Sequence, residues 1–128
     1  CTFVERARPV RAVLQDNLVA TGLEGRARVE ALDALVWLQR QVPPTDGSGP
    51  VAGASFDLVL LDPPYATEPE VWARVLEAVG LLAPDGVVVI ESRQPVALPG
   101  GWDVQREKGY GDTLLVIVRP SSPPPEPS

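Results

Sequence analysis

The chain has 128 residues, enough for one domain core, and its 45% hydrophobic and 22% charged residues are typical of a globular protein. No apolar run approaches the roughly 18–20 residues of a membrane-spanning helix. One cysteine excludes an internal disulfide, and the lack of histidine excludes Cys/His zinc sites and Ser-His-Asp catalysis within this chain. The net charge of −6 disfavours a nucleic-acid surface, although residues 1–40 hold six arginines against five acids.

The first part of the chain predicts two strand-helix units. A buried strand over residues 2–5 leads into a helix that begins near Pro9, whose missing N–H costs nothing in a first turn. The helix ends before Gly22, a residue suited to the position after a helix. A second strand over residues 28–32 leads into a helix that starts at Asp33.

The middle of the chain combines a loop, a strand and a helix. The composition of residues 43–55 predicts a flexible loop, and the apolar run over residues 56–61 predicts a strand covered on both faces. Thr67 and Glu70 form a capping box that predicts the start of a helix, with Thr67 as N-cap. That helix is expected to end near Gly80.

The C-terminal part predicts a strand, a hairpin and a tail. The strand covers residues 87–91, the hairpin pairs 103–108 with 113–118 around a turn at 109–111, and residues 120–128, with five prolines, form a disordered tail. Alternating strands and helices predict a doubly wound α/β fold, with a mostly parallel sheet, helices on both faces and the hairpin as an antiparallel edge.

Acids follow three of the predicted strands, at Glu5, Asp33 and Asp62. Ligands of open α/β sheets bind at the carboxyl ends of the strands, where an acid can accept hydrogen bonds from ribose hydroxyls or an exocyclic amine. The alternative is that each acid caps the next helix, and Asp33 is a plausible N-cap.

The string Asp62-Pro63-Pro64-Tyr65 carries the strongest signal for chemistry. Two prolines hold the backbone rigid and donate no N–H, which leaves the Asp62 carboxylate and the Pro63 carbonyl as acceptors. With the Tyr65 ring beside them, such a loop suits a planar base that bears an amine. The alternative is a rigid turn whose tyrosine packs on the core.

This string resembles the motif of S-adenosylmethionine-dependent amino-methyltransferases, and the chain resembles the RsmD family, which methylates the N2 amine of a guanine in 16S ribosomal RNA. The resemblance covers residues 2–119 and rests on Val4–Arg6, Leu14–Leu18, Asp33–Ala34, Phe56–Tyr65, Gly80–Leu82 and Gly109–Thr113. It implies a Rossmann-like class I methyltransferase domain over residues 1–119. The family's first strand and glycine-rich loop would precede Cys1, and the absence of methionine also suggests a C-terminal piece of a longer protein.

The resemblance also implies roles for individual residues. Glu5, with Arg6 beside it, would hold the cofactor ribose, and Asp33 with Ala34 would read its adenine. Asp62 lies at both the cofactor and the target amine. The implied catalytic loop comprises Asp62, Pro63, Pro64 and Tyr65.

The implied cofactor is S-adenosylmethionine, and the implied partner is 16S rRNA or the small ribosomal subunit particle, in the cytoplasm, without a metal or a membrane. Adenine-N6 methylation of DNA is the nearest alternative, because the same four-residue string occurs there, and a noncatalytic fragment is another. A dehydrogenase is disfavoured because no Gly-x-Gly-x-x-Gly pattern is present. Arg6, Arg8 and Arg11 are suited to contact RNA, but a solvated helix face is the preferred interpretation.

Overall fold

A computed structural model describes residues 1–41, 56–62 and 68–121. Its elements are β1 (Thr2–Val4), α1 (Arg8–Ala20), β2 (Arg28–Glu30), α2 (Ala34–Gln41), β3 (Leu58–Leu61), α3 (Pro69–Leu82), β4 (Val87–Ser92), β5 (Trp102–Tyr110) and β6 (Thr113–Pro120). The chain divides into two compact units, residues 1–41 and 42–128. In the described part of the chain, no helix is both long and apolar enough to cross a membrane.

The first unit is a parallel β-α-β arrangement. Strands β1 and β2 pair in parallel, with Val4 opposite Glu30, and α1 connects them. Helix α1 begins with a proline in its first turn, as predicted. It ends at Ala20, and just beyond its C-cap Gly22 has φ +70°, so that the Leu23 amide donates to the Leu18 carbonyl (2.9 Å). A left-handed residue at this position closes the helix, so the predicted glycine stop is confirmed.

The second unit contains a four-stranded mixed sheet in the order β3-β4-β6-β5. Strand β3 is parallel to β4, while β6 is antiparallel to both β4 and β5. Val88 lies opposite Val118 and Ile90 opposite Val116, so these four buried side chains share one face. Buried residues of α3 complete the core of this unit: Leu76, Ala78, Val79 and Leu82.

The prediction that residues 56–61 are covered on both faces is wrong for this unit. Leu58 and Leu60 are 57% and 71% exposed, whereas Val59 and Leu61, on the core face, are half-buried. Helix α3 packs on the core face. Residues 93–101, which connect β4 and β5, form no helix that could cover the other face. Strand β3 therefore carries more apolar side chains than the second unit buries.

The predicted hairpin forms, but its turn and its end are displaced. Tyr110 pairs with Thr113, so the turn is Gly111-Asp112 instead of 109–111. Gly111 has φ +60° and Asp112 has a negative φ, which is the pattern of a type II′ turn. Strand β6 extends to Pro120, opposite Trp102, so residue 120 belongs to the sheet and not to a tail.

The start of α3 also differs from the prediction. The N-cap is Glu68, without a side-chain capping bond, and Pro69 opens the helix. Proline has the fixed φ that a first helical position needs, which favours a helix start at Pro69. Helix α3 continues two residues past Gly80, to Leu82. Thr67, the predicted loop 43–55 and the tail residues 122–128 lie outside the described residues.

Candidate active site

Glu5 lies at the carboxyl end of β1, where the parallel strand pair of the first unit ends. Its amide donates to the Glu30 carbonyl (3.0 Å), so the ladder with β2 continues through this residue. Its Oε1 accepts a hydrogen bond from the Ala7 amide (2.9 Å), which orients the carboxylate over the turn into α1. The side chain is half-buried, and Oε2 has no hydrogen bond with the described residues.

Asp33 performs the capping role that the sequence left open as an alternative. Its Oδ1 accepts hydrogen bonds from the amides of Leu35 (3.0 Å) and Val36 (3.3 Å), and its carbonyl accepts from the Trp37 amide (3.0 Å). These bonds satisfy the first free N–H groups of α2. The Oδ2 atom takes no part in the cap, and Ala34 follows as the first, exposed residue of α2.

Arg6 connects the two strand ends of the first unit. Its Nη1 lies 3.9 Å from the Asp33 Oδ2, and the two side chains are 78% and 48% exposed. An exposed pair at this distance contributes little to stability. It does place the predicted residues Arg6 and Asp33 beside each other at one edge of the β1-β2 pair, the edge that also carries Glu5.

Arg11 has a role that the sequence did not indicate. Its guanidinium donates through Nη1 to the carbonyls of Glu5 and Arg6, and the residue is half-buried. The expectation of a solvated helix face is therefore wrong for Arg11, because its side chain reaches back to the preceding turn. The i−5 and i−6 spacing belongs to no standard helix pattern, so no sequence motif indicates these two hydrogen bonds.

Asp62 directly follows β3 and is exposed. The last residue of β3, Leu61, lies opposite Ile90 of β4, so Asp62 stands at the carboxyl edge of the parallel pair in the second unit. The other residues of the predicted catalytic loop, Pro63, Pro64 and Tyr65, lie outside the described residues. The structure thus brings four of the five predicted cofactor residues, Glu5, Arg6, Asp33 and Ala34, to one edge of the first unit, whereas the fifth, Asp62, belongs to the second unit.

The chemistry that these groups offer is acceptor chemistry. Glu5, Asp33 and Asp62 offer carboxylate oxygens, which accept hydrogen bonds from hydroxyl and amine groups, and the exposed Arg6 guanidinium lies 3.9 Å from the Asp33 Oδ2. The described residues include no group of three or more His, Cys, Asp or Glu side chains placed to hold a metal ion.

The fold resembles that of several solved structures, some of which are described as methyltransferases. A conserved hypothetical protein from Streptococcus pyogenes is 29% identical, with a TM-score of 0.69 over 91% of this chain and 69% of its own. YhhF from Escherichia coli, described as a methyltransferase, is 27% identical, with a TM-score of 0.71 over 95% of this chain. An rRNA methylase from Streptococcus thermophilus shares the fold alone, at 8% identity and a TM-score of 0.66, over 94% of this chain and 73% of its own.

The parallel β-α-β arrangement of the first unit and the mixed sheet of the second belong to an α/β chain that shares the fold of class I methyltransferases. The family described as Conserved hypothetical protein 95 matches residues 1–119, and the chain belongs to this family, the RsmD family. The resemblance inferred from the sequence is confirmed. The chain spans 63% of the length of YhhF, and no curated protein sequence matches it.

Proposed function

We propose that the protein transfers a methyl group from S-adenosylmethionine to the exocyclic N2 amine of a guanine in 16S ribosomal RNA, in the cytoplasm. The observation that carries the proposal is membership of the RsmD family over residues 1–119, with Asp62 at the carboxyl end of β3. The fold shared with YhhF and with the Streptococcus thermophilus rRNA methylase supports it.

The carboxylate acceptors of the first unit fit the nucleoside part of S-adenosylmethionine. Glu5 keeps Oε2 for the ribose hydroxyls while the Ala7 amide holds Oε1. Asp33 keeps Oδ2 for the adenine amine while its Oδ1 caps α2, and the Ala34 backbone lies next to it. When bound, S-adenosylmethionine supplies an electrophilic methyl group, and these residues bind and orient its nucleoside end.

Asp62 acts on the target base. Its carboxylate and the Pro63 carbonyl accept hydrogen bonds from the guanine amine and orient the nitrogen lone pair, while the Tyr65 ring stacks on the base. Positive charge grows on the nitrogen during transfer, and a nearby carboxylate stabilises that charge most strongly where water is excluded. This chemistry uses no histidine, which agrees with a chain that has none.

Steady-state kinetics of the full-length protein on 16S rRNA tests these roles. Asp62→Ala is expected to lower kcat by about a hundredfold or more, because loss of such an acceptor costs roughly 2–4 kcal/mol in the transition state. Glu5→Ala is expected to raise KM for S-adenosylmethionine with a smaller effect on kcat. Glu77→Ala, which removes an exposed acid of α3, serves as control and leaves both constants unchanged.

The identity of the product decides the substrate. Labelled cofactor with 16S rRNA is expected to give N2-methylguanine, whereas label in N6-methyladenine of duplex DNA would overturn the proposal in favour of a DNA enzyme. Wild-type turnover by Asp62→Ala at saturating substrates would remove the catalytic role assigned to this residue.

A further inference from the structure

An open depression of about 300 Å³ lies on the first unit, between α1 and the end of β2. Helix α1 lines it with Arg8, Arg11, Ala12 and Gln15, at the i, i+3, i+4 and i+7 spacing that puts side chains on one helix face. Val29 and Ala31, two residues apart along β2 and its end, form the other side. The predicted cofactor residues are not part of this lining.

The depression has a basic and hydrogen-bonding character. No carboxylate is among its lining residues, and in the described part of the chain neither Arg8 nor Arg11 takes part in an ion pair. The first turn of α1 also carries no acid. Arg8 is exposed, and the Arg11 guanidinium is anchored by two backbone carbonyls, so one cation is free and the other is held in place.

We infer that this depression binds a phosphodiester of the RNA backbone. This inference rests on the proposed function and adds a substrate-positioning site to it. Guanidinium groups match phosphate oxygens bidentately, and the Gln15 amide supplies a further neutral donor. Such contacts fix the register of the RNA without reading its sequence.

The test measures binding of a fluorescein-labelled single-stranded RNA to the full-length protein by anisotropy, over a series of chloride concentrations. Arg8→Gln removes the free cation, and Gln15→Glu adds a negative charge with nearly the same shape. Arg40→Gln and Gln39→Glu, exposed residues of α2 outside the depression, make the same charge changes and serve as matched controls.

We expect Arg8→Gln to raise Kd roughly three- to tenfold, which is less than the loss of a buried charge-assisted hydrogen bond would cause, because the Arg8 side chain is exposed. The slope of log K against log salt should become shallower by about 0.7, the value of one phosphate contact on a single strand. Gln15→Glu should raise Kd by a similar factor. Both control variants should stay within about twofold of the wild-type Kd.

If the depression variants and their controls change Kd equally, the inference is overturned, since the net charge of the protein then explains the effect. If no variant changes Kd, the inference is overturned as well. Strong displacement of the RNA by inorganic phosphate at constant ionic strength would also overturn it, in favour of a free-anion site. Methyl transfer, measured in parallel, separates the two proposals. If the wild-type protein methylates 16S rRNA but the depression variants leave the RNA Kd unchanged, only the phosphodiester site is refuted. If the depression variants raise the RNA Kd selectively but the wild-type protein transfers no methyl group, only the proposed reaction is refuted.

Discussion

Asp33→Ala removes the carboxylate whose Oδ1 accepts the amides of Leu35 (3.0 Å) and Val36 (3.3 Å) at the start of α2. Replacing an N-cap with alanine costs typically about 1 kcal/mol. The contact with Arg6 adds little, because it spans 3.9 Å between exposed side chains. We expect this variant to lower the free energy of unfolding by about 1 kcal/mol, measured by urea denaturation followed by circular dichroism.

Asp33→Asn separates the cap from the proposed cofactor contact. Asparagine caps helices as well as aspartate does, so its oxygen can keep the Leu35 and Val36 amides and the unfolding free energy should change little. Its NH₂ group then takes the place of Oδ2. Because this group is a donor, it cannot accept a hydrogen bond from the adenine amine. A hydrogen bond to a charged group is worth roughly 1.5–3 kcal/mol, so both variants should weaken S-adenosylmethionine binding by about tenfold or more.

Titration calorimetry of the full-length protein with S-adenosylmethionine measures the second effect. Asp16→Asn, at an exposed position of α1, is the control and should change neither stability nor affinity. If Asp33→Asn binds the cofactor with wild-type affinity, the adenine contact is refuted and Asp33 is a helix cap only.

Three further predictions concern the stability of the fold, each measured by urea unfolding. Gly86→Ala should cost about 1–3 kcal/mol, because its Cβ would lie 2.9 Å from a neighbouring side chain and from a backbone oxygen, whereas Gly25→Ala, with open space around it, should not. Ile90→Ala should cost about 2–5 kcal/mol since Ile90 is fully buried, against less than about 1 kcal/mol for Leu81→Ala, whose side chain is 60% exposed. Gly111→Ala should cost roughly 1–2 kcal/mol because its φ is +60°, and Gly111→Asn should cost less; equal losses would refute this explanation.

The order of elements was predictable because the sequence signals are local. The first-turn proline of α1, the glycine after it and the apolar strands each act within a few residues, and the structure has all of them. The hairpin turn was misplaced because Gly109 and Gly111 are equally permissive in sequence. Only the pairing of Tyr110 with Thr113 decides between them.

The cover of β3 was not predictable from its own residues. A continuous apolar run indicates burial on both faces, but burial depends on which other elements pack there. In the second unit α3 packs on one face, and Leu58 and Leu60 on the other remain exposed. The hydrogen bonds from Arg11 to the preceding turn were also not predictable from local sequence. They depend on where β1 ends relative to α1, which is a matter of how the elements pack.

For the candidate site, the sequence posed a choice between capping and ligand binding, and the observed Asp33 cap does not exclude the proposed binding role. A carboxylate has two oxygens, and capping occupies one of them. The Leu35 and Val36 amides fix the Asp33 rotamer through Oδ1 at the cap of α2, whereas the Ala7 amide fixes Glu5 through Oε1 in the turn before α1, which has no side-chain cap. Each local bond restricts the side chain before any ligand arrives, so binding through the second oxygen loses less rotamer entropy. An acid that follows a parallel strand and precedes a helix is therefore suited to both tasks because the first prepares the second.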